Sequence, residues 1–329
     1  MILSRAPLRI ALGGGGTDLP SYYEQYGGFI LSAAIDKYVY VYLNKPAADD
    51  LIRVKYTRYE EVATPAEVQH DLVRPALQLL GITDNIEITS MADVPAGTGL
   101  GSSATYLVSL LTGLHEMRRE RIPTHALAEE ACHIEMNLAG HAVGKHDHYL
   151  AAFGGITCLE IERDGRVTVT PLDISQTAAD ELRHNVLLFF TGITRSANTI
   201  LAEQKRDTAS ARTDVVESLH KTMDLGRQVK AALEAGRVDD FGALLHEHWE
   251  NKKRRSALIS NPDVDRWYEI ARAAGALGGK IVGAGGGGFL MLYCPGGSKA
   301  SVRQAMAGEG LREMQYAFDY DGAKVMLNV

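Results

Sequence analysis

Apolar and polar residues alternate over Ile86-Glu87-Ile88-Thr89-Ser90, a period of two that predicts a half-buried strand. Beyond a glycine-rich gap, Tyr106-Leu107-Val108-Ser109-Leu110-Leu111 opens an apolar run to about His115, long enough for a buried helix. Upstream, Met1 to Arg9 begins as a strand with Pro7 at an edge or turn, and Ser21 to Gln25 reads as a short helix ended by Gly27-Gly28. The Ile, Val and Tyr of Phe29 to Asn44 suit two strands parted at Asp36-Lys37, and Leu51 to Tyr59 suits another. Helical spacing covers Val68 to Leu80, and again Thr124 to Leu138, where Leu127, Ala131, Ile134 and Leu138 share a face. Ile156–Ile161 and Val167–Pro171 form a strand pair turning at Asp164-Gly165.

The composition shifts near Ser175, which predicts two domains, 1–175 and 176–329. In the second, Val186 to Phe190 is a buried strand, and Ala202 to Ser260 is mostly helical until Asn261-Pro262 breaks it. Val264 to Ala274 is a helix, Lys280 to Tyr293 a strand, a glycine loop and a strand, and Lys299 to Met306 a helix before two last strands.

Apolar residues make up 46% of the chain and charged residues 23%, which fits a soluble globular enzyme and not a disordered chain. The net charge of −7, with Lys252-Lys253-Arg254-Arg255 as the one basic block, argues against nucleic acid or an anionic membrane as partner. An anionic substrate then requires a locally basic site. Cys132, Cys158 and Cys294 stand at unrelated spacings and read as reduced, buried thiols. No signal peptide precedes Arg5, and no apolar run approaches ~18 residues, so a soluble cytoplasmic protein is expected.

The candidate chemistry concentrates between the strand at Ile86 and the apolar helix. Pro95-Ala96-Gly97-Thr98-Gly99-Leu100-Gly101-Ser102-Ser103-Ala104 puts three glycines and two serines where a loop feeds a helix N-terminus. The first N–H groups of a helix lack partners, and its dipole favours negative charge there. That pattern suits a phosphate cradle, or else a Gly/Ser cap on a core helix. It is not a Walker A loop, which requires Gly-Lys-Ser/Thr, and its glycine spacing is wrong for a Rossmann turn. Gly283 to Gly288 matches G-x-G-x-x-G on paper, but the short run Phe289 to Tyr293 follows where a helix is required. Asp147 lies in a mostly apolar stretch between glycine turns, and Asp18 follows Gly13-Gly14-Gly15-Gly16-Thr17. Each carboxylate either caps a helix or does chemistry. His146 and His148, like His246 and His248, form H-x-H pairs without the third ligand that zinc needs nearby.

With these residues in view the chain resembles the GHMP kinases over essentially its whole length. Pro7-x-Arg9-Ile10 with Gly13 to Asp18 is similar to the first family motif, Pro95 to Ala104 to the second, and Lys280 to Leu290 to the third. Within the family, Gly13 to Pro20, Thr191 to Ala197, His246 to Glu250 and Phe318-Asp319 resemble the heptose 7-phosphate kinases, although His146 and His148 flank Asp147 where relatives often carry glutamine. The resemblance implies an α/β two-domain fold, first domain like ribosomal protein S5 domain 2 and second ferredoxin-like, with the site between them. It implies ATP and Mg²⁺, with ATP phosphates on Pro95, Gly97, Gly99, Leu100, Gly101, Ser102, Ser103 and Ala104, and Mg²⁺ on Ser103 and Glu135. Asp147 would be the base and Arg9 the stabiliser of the transferred phosphoryl. Asp18, Thr17, Gly16, Lys145, Arg195, Gly285 and Gly286 would hold the sugar phosphate, Lys145 or Arg195 taking its phosphate. A kinase of another sugar, such as fucose or galactose, and a non-catalytic ligand sensor are the alternatives, and a homodimer is left open.

Overall fold

Two long strands, β1 (Ile2–Gly13) and β2 (Gly28–Asn44), frame the first layer, joined through a glycine turn and helix α1 (Pro20–Tyr26). The computed structural model describes residues 1–194, 198–209 and 212–329. Residues 29–44 were expected to form two strands, but they form one. The irregularity falls at a register shift in the pairing with β1: Pro7 faces Tyr38 while Leu8 faces Ile35. Proline has no N–H for the ladder, and a bulge is where a sheet tolerates it inside a strand.

The hairpin β3 (Ile52–Lys55) and β4 (Tyr59–Val62) replaces the single strand expected over 51–59. Helix α2 (Val73–Leu79) starts later than its apolar spacing suggests, because His70 Nδ1 accepts from the N–H groups of Leu72 and Val73 at 3.3 and 3.4 Å. Then follow β5 (Ile86–Ala92), α3 (Ser102–Met117), α4 (Thr124–Cys132), α5 (His146–Phe153), β6 (Ile156–Ile161) and β7 (Val167–Pro171). Strand β2 pairs with β6 over its first half and with β5 over its second.

The second layer starts with α6 (Gln176–Asn185), whose N-cap Ser175 accepts from the Ala178 N–H at 3.2 Å. After β8 (Val186–Phe190) come α7 (Asn198–Ala209), α8 (Thr213–Glu234), α9 (Val238–Lys253) and α10 (Pro262–Ala273). Strands β9 (Gly278–Ile281) and β10 (Phe289–Tyr293), helix α11 (Lys299–Gly308) and β11 (Arg312–Met314) complete an antiparallel sheet ordered β11-β8-β10-β9. That is the ferredoxin-like arrangement. The last strand, β12 (Lys324–Asn328), does not stay with this unit. It pairs antiparallel with β1 and covers an edge of the first sheet. A division into 1–175 and 176–329 therefore cuts one sheet.

The two layers meet through backbone. Helix α8 lies against β1 and β2, and a Cβ at Gly226 would stand 2.8 Å from the Gly14 nitrogen and 3.1 Å from the Phe29 ring. On an exposed helix, Gly→Ala gains up to ~1 kcal/mol. At this contact the sign should reverse: Gly226→Ala should destabilise the fold by about 1–3 kcal/mol, the scale of an overpacked core. Urea unfolding of the two proteins side by side measures it.

Candidate active site

The loop between β5 and α3 is held open by its glycines. Gly97, Gly99 and Gly101 all have positive φ, and a Cβ at Gly101 would lie 3.2 Å from the Asp147 carboxylate. Gly101 occupies the N-cap of α3 without any side-chain cap, so the first N–H groups of a sixteen-residue helix remain for a ligand. Ser102 Oγ is buried and has no hydrogen-bond partner among the described residues. Pro95, Gly97, Gly99, Gly101, Ser102 and Ser103 line a cavity of about 950 Å³, whereas Leu100 and Ala104 are buried beneath it. The Leu100 carbonyl accepts from the Arg9 N–H at 3.1 Å, which ties the loop to β1.

At the lip of this loop Arg9 grips Asp147 with two bonds, Nε to Oδ1 at 2.6 Å and Nη2 to Oδ2 at 2.7 Å, and donates Nη1 to the Gly99 carbonyl at 2.6 Å. Asp147 sits in the first turn of α5 but caps nothing, since Lys145 holds the N-cap position and both Asp147 oxygens go to side chains. Its side chain keeps 23% of its exposure, on the cavity. His146 bridges two carboxylates, with Nδ1 2.7 Å from Asp18 Oδ2 and Nε2 2.7 Å from Asp147 Oδ1. Burial disfavours charge on His146, but Asp147 and Asp18 outweigh it and raise its pKa to about 9. The imidazolium therefore donates from both nitrogens. Its 3.1 Å approach to Arg9 Nε is two donors converging on one oxygen, not a bond between them. Asp18 and Asp147 are both held below the usual carboxylate range: burial opposes this, and His146, with Arg9 for Asp147, prevails.

The helix expected over 124–138 widens into a π turn at His133–Leu138, where the Ala139 N–H reaches the Ile134 carbonyl at 2.8 Å. Glu135 sits on that turn and lines the cavity. It accepts from His148 Nε2 at 2.8 Å and His141 Nδ1 at 3.2 Å. Burial works against the ionised form, yet these bonds bring its pKa down to about 2. His146 and His148 thus serve different carboxylates, as residues two apart on a helix must. Among the described residues no three His, Cys, Asp or Glu side chains gather as a metal site.

Other expected residues fall elsewhere. Lys145 turns away from the cavity, its ammonium held by Glu129 at 2.8 and 2.9 Å and by the Gly165 carbonyl at 2.7 Å. Thr17 is wholly buried, its hydroxyl within 3.1 Å of the Gly14 carbonyl and of both backbone polar groups of Phe29, so it staples the glycine turn to β2. Gly16 lines the cavity beside Asp18, to which its N–H donates at 3.3 Å. Gly285 and Gly286 press on Ile259 outside the cavity lining, while Gly283 and Ala284 reach it. Arg195 lies outside the described residues. The cavity also holds residues that sequence reasoning passed over. Tyr56, His70 and Tyr106 form an aromatic wall, with His70 and Tyr106 stacked at 5.1 Å and the Tyr106 hydroxyl unpartnered among the described residues. Arg255, Lys280 and His248 form a basic wall: Arg255 is signalled only by the Lys252–Arg255 block, while Lys280 and His248 stand in the third motif and an H-x-H pair without a binding role.

The family described as GHMP kinases N terminal domain matches residues 70–155, and GHMP kinases C terminal matches 229–311. This chain belongs to the GHMP kinases. Kinases of this family use ATP. It is 29% identical to the D-glycero-alpha-D-manno-heptose 7-phosphate kinase of Campylobacter jejuni, over 98% of each chain. A solved D-glycero-D-manno-heptose 1-phosphate kinase from Bacteroides thetaiotaomicron superposes with a TM-score of 0.82 at 28% identity, over the full length of both. Lactococcus lactis galactokinase, crystallised with galactose, shares the fold alone, with a TM-score of 0.74 at 19% identity over 99% of this chain and 94% of its own. No helix among the described residues is long and apolar enough to cross a membrane.

The charge network makes a pH prediction for this GHMP kinase. The folded pKa of His146, about 9, lies above its ordinary 6.5, so its contribution to stability is complete below about 6.5 and lost as pH rises through about 9. Lys280, pushed down to about 7, has the opposite slope over part of this range, so only a comparison isolates His146. The stability gap between the parent protein and His146→Gln should be widest near pH 6 and shrink by about 3 kcal/mol by pH 9.5, read from urea unfolding at each pH.

Proposed function

We propose that this kinase transfers the γ-phosphoryl group of ATP to the anomeric hydroxyl of a heptose 7-phosphate, giving the 1,7-bisphosphate used to make nucleotide-activated heptose. The observation that carries the reading is the Arg9–Asp147 pair facing the cavity across from an uncapped helix N-terminus. The full-length relatives whose names specify heptose phosphates support the sugar. The aromatic wall of Tyr56, His70 and Tyr106 suits a nucleobase, and the Gly97–Ser103 loop suits the phosphates.

Ser103 and Glu135 fit Mg²⁺. Both line the cavity, and they offer two oxygen donors, few enough for an ion that keeps its waters. Glu135 has lone pairs left after its bonds to the two histidines. The ion would supply neutralising charge for the triphosphate.

In the transfer, the anomeric oxygen forms a bond to the γ-phosphorus as the bond from that phosphorus to the bridging oxygen breaks, and the electron pair leaves on ADP. Arg9 stands where charge builds on the transferred group. The hydroxyl proton passes to Asp147. A carboxylate so tightly held by Arg9 is a weak base, which is adequate because phosphoryl transfer is loose and demands little of the nucleophile. Asp18 keeps Oδ1 for sugar hydroxyls, shared with the Gly16 N–H.

ADP release against a panel of free sugars and sugar phosphates tests the assignment. A better rate with free fucose or galactose would move it to another sugar, and no turnover with any would leave a ligand sensor. Asp147→Asn should lower kcat by about 10²–10⁴-fold with the KM for ATP little changed. Ser103→Ala and Glu135→Gln should each raise the Mg²⁺ concentration for half-maximal rate. Wild-type Mg²⁺ dependence in both variants would place the ligands elsewhere.

A further inference from the structure

We propose that Arg255 and Lys280 seat the phosphate that the acceptor sugar already carries. This rests on the sugar-phosphate reading above and gives that phosphate its place. The two side chains come from the second residue beyond the end of α9 and from β9, and they are only 5% and 2% exposed. Both line the cavity, and neither forms an ion pair with a carboxylate among the described residues. Arg255 is held by neutral oxygens: Nε donates to Ser218 Oγ at 3.1 Å, Nη1 to the Gly15 carbonyl at 3.3 Å, and Nη2 to Thr222 Oγ1. These bonds orient the guanidinium without neutralising it. Burial alone pulls Arg255 down to about 10, and burial with repulsion from Arg255 and Arg9 pulls Lys280 down to about 7. A buried charge with no counter-charge is costly, and an incoming phosphate removes the cost. On the same cavity His248, 3% exposed, has both ring nitrogens unpartnered among the described residues. Burial and the neighbouring Lys280, Arg255 and Lys252 keep it neutral, with one N–H to donate.

The seat lies at the right place along the acceptor. Asp18 bonds to His146, which bonds to Asp147. On its other side Asp18 takes the Gly16 N–H, and the next residue back, Gly15, takes Arg255. A polyol with its anomeric hydroxyl at Asp147 and its middle hydroxyls at Asp18 runs along the glycine turn to Arg255. Lys280 lines the same cavity and is repelled by both Arg255 and Arg9. Lys145, by contrast, already has its carboxylate.

The test compares Arg255→Gln, Arg255→Lys and Lys280→Met with the parent enzyme, each assayed with heptose 7-phosphate and with the unphosphorylated heptose at saturating ATP and Mg²⁺. Calorimetry then measures binding of heptose 7-phosphate and of inorganic phosphate without nucleotide. The preference in kcat/KM for the phosphorylated sugar should fall by about 10²-fold in Arg255→Gln and Lys280→Met, and partly return in Arg255→Lys. Lys280→Met should keep or raise the thermal midpoint, because its charge has no partner to lose; that variant carries the test should Arg255→Gln fold poorly. An equal loss on both sugars would assign the cations to ATP or to the fold and overturn the seat. A parent enzyme that turns over the free sugar better would overturn the heptose 7-phosphate function instead. The seat then stands only if phosphate or the sugar phosphate binds in an Arg255-dependent way, and falls if neither does.

Discussion

The bidentate contact between Arg9 and Asp147 holds the site together. It joins β1 to the first turn of α5, and through Arg9 Nη1 it fixes the Gly99 carbonyl of the phosphate loop. Each of these charges is tolerable in a largely buried place because the network alternates in sign: Asp18, His146, Asp147, Arg9. Removing one member of such a chain strands its neighbour, which typically costs about 3–5 kcal/mol in buried pairs. The same closeness weakens Asp147 as a base. The arrangement therefore favours holding the acceptor in line over stripping its proton early, as expected where positioning and charge carry most of the catalysis.

The cavity is electrostatically lopsided. On the α5 side every buried charge has its opposite within the protein, with Glu135 between two histidines as a second instance. On the α9 and β9 side, Arg255 and Lys280 have none among the described residues. A protein with a net charge of −7 has carboxylates enough to pair them. Their being left bare inside a cavity is a departure from the rule that buried charges are neutralised, and such departures concentrate where a ligand completes the set.

Much of this was legible in the residues. The glycines and serines at Gly97–Ser103 announce a loop and a helix start because few other residues permit that backbone, and Asp147 stands out as the lone carboxylate between Gly140 and Gly155. What local pattern could not carry was tertiary. The π turn that presents Glu135 leaves the apolar spacing of 124–138 intact, so the sequence reads as an ordinary helix. The bulge at Pro7 is set by pairing with β2, which no single strand records. Lys145 stands two residues from Asp147, yet helix geometry turns it to Glu129, so nearness in sequence misled. Arg255 was visible only as one of four basic residues in a row. Which of them is buried depends on where α9 ends against α8.

The halves of the molecule are fastened where the cavity is made. A Cβ at Gly99 would come within 2.5 Å of the Val282 carbonyl, and one at Gly283 within 2.7 Å of the Gly99 backbone. Each glycine loop therefore presses on the other with no side chain between them, one from each sheet. Lys252 adds a bond to the Gly283 carbonyl at 2.6 Å from α9. The phosphate loop is consequently not a free lid: its shape depends on the second layer being packed against it. Changes that loosen the ferredoxin-like layer should thus be felt first at the loop, since a position defined by backbone contact has no flexible side chain to absorb a shift. The third glycine motif therefore braces the site as well as lining it: Lys280, Gly283 and Ala284 face the cavity, Gly285 and Gly286 pack on Ile259, and Gly283 presses on the Gly99 backbone.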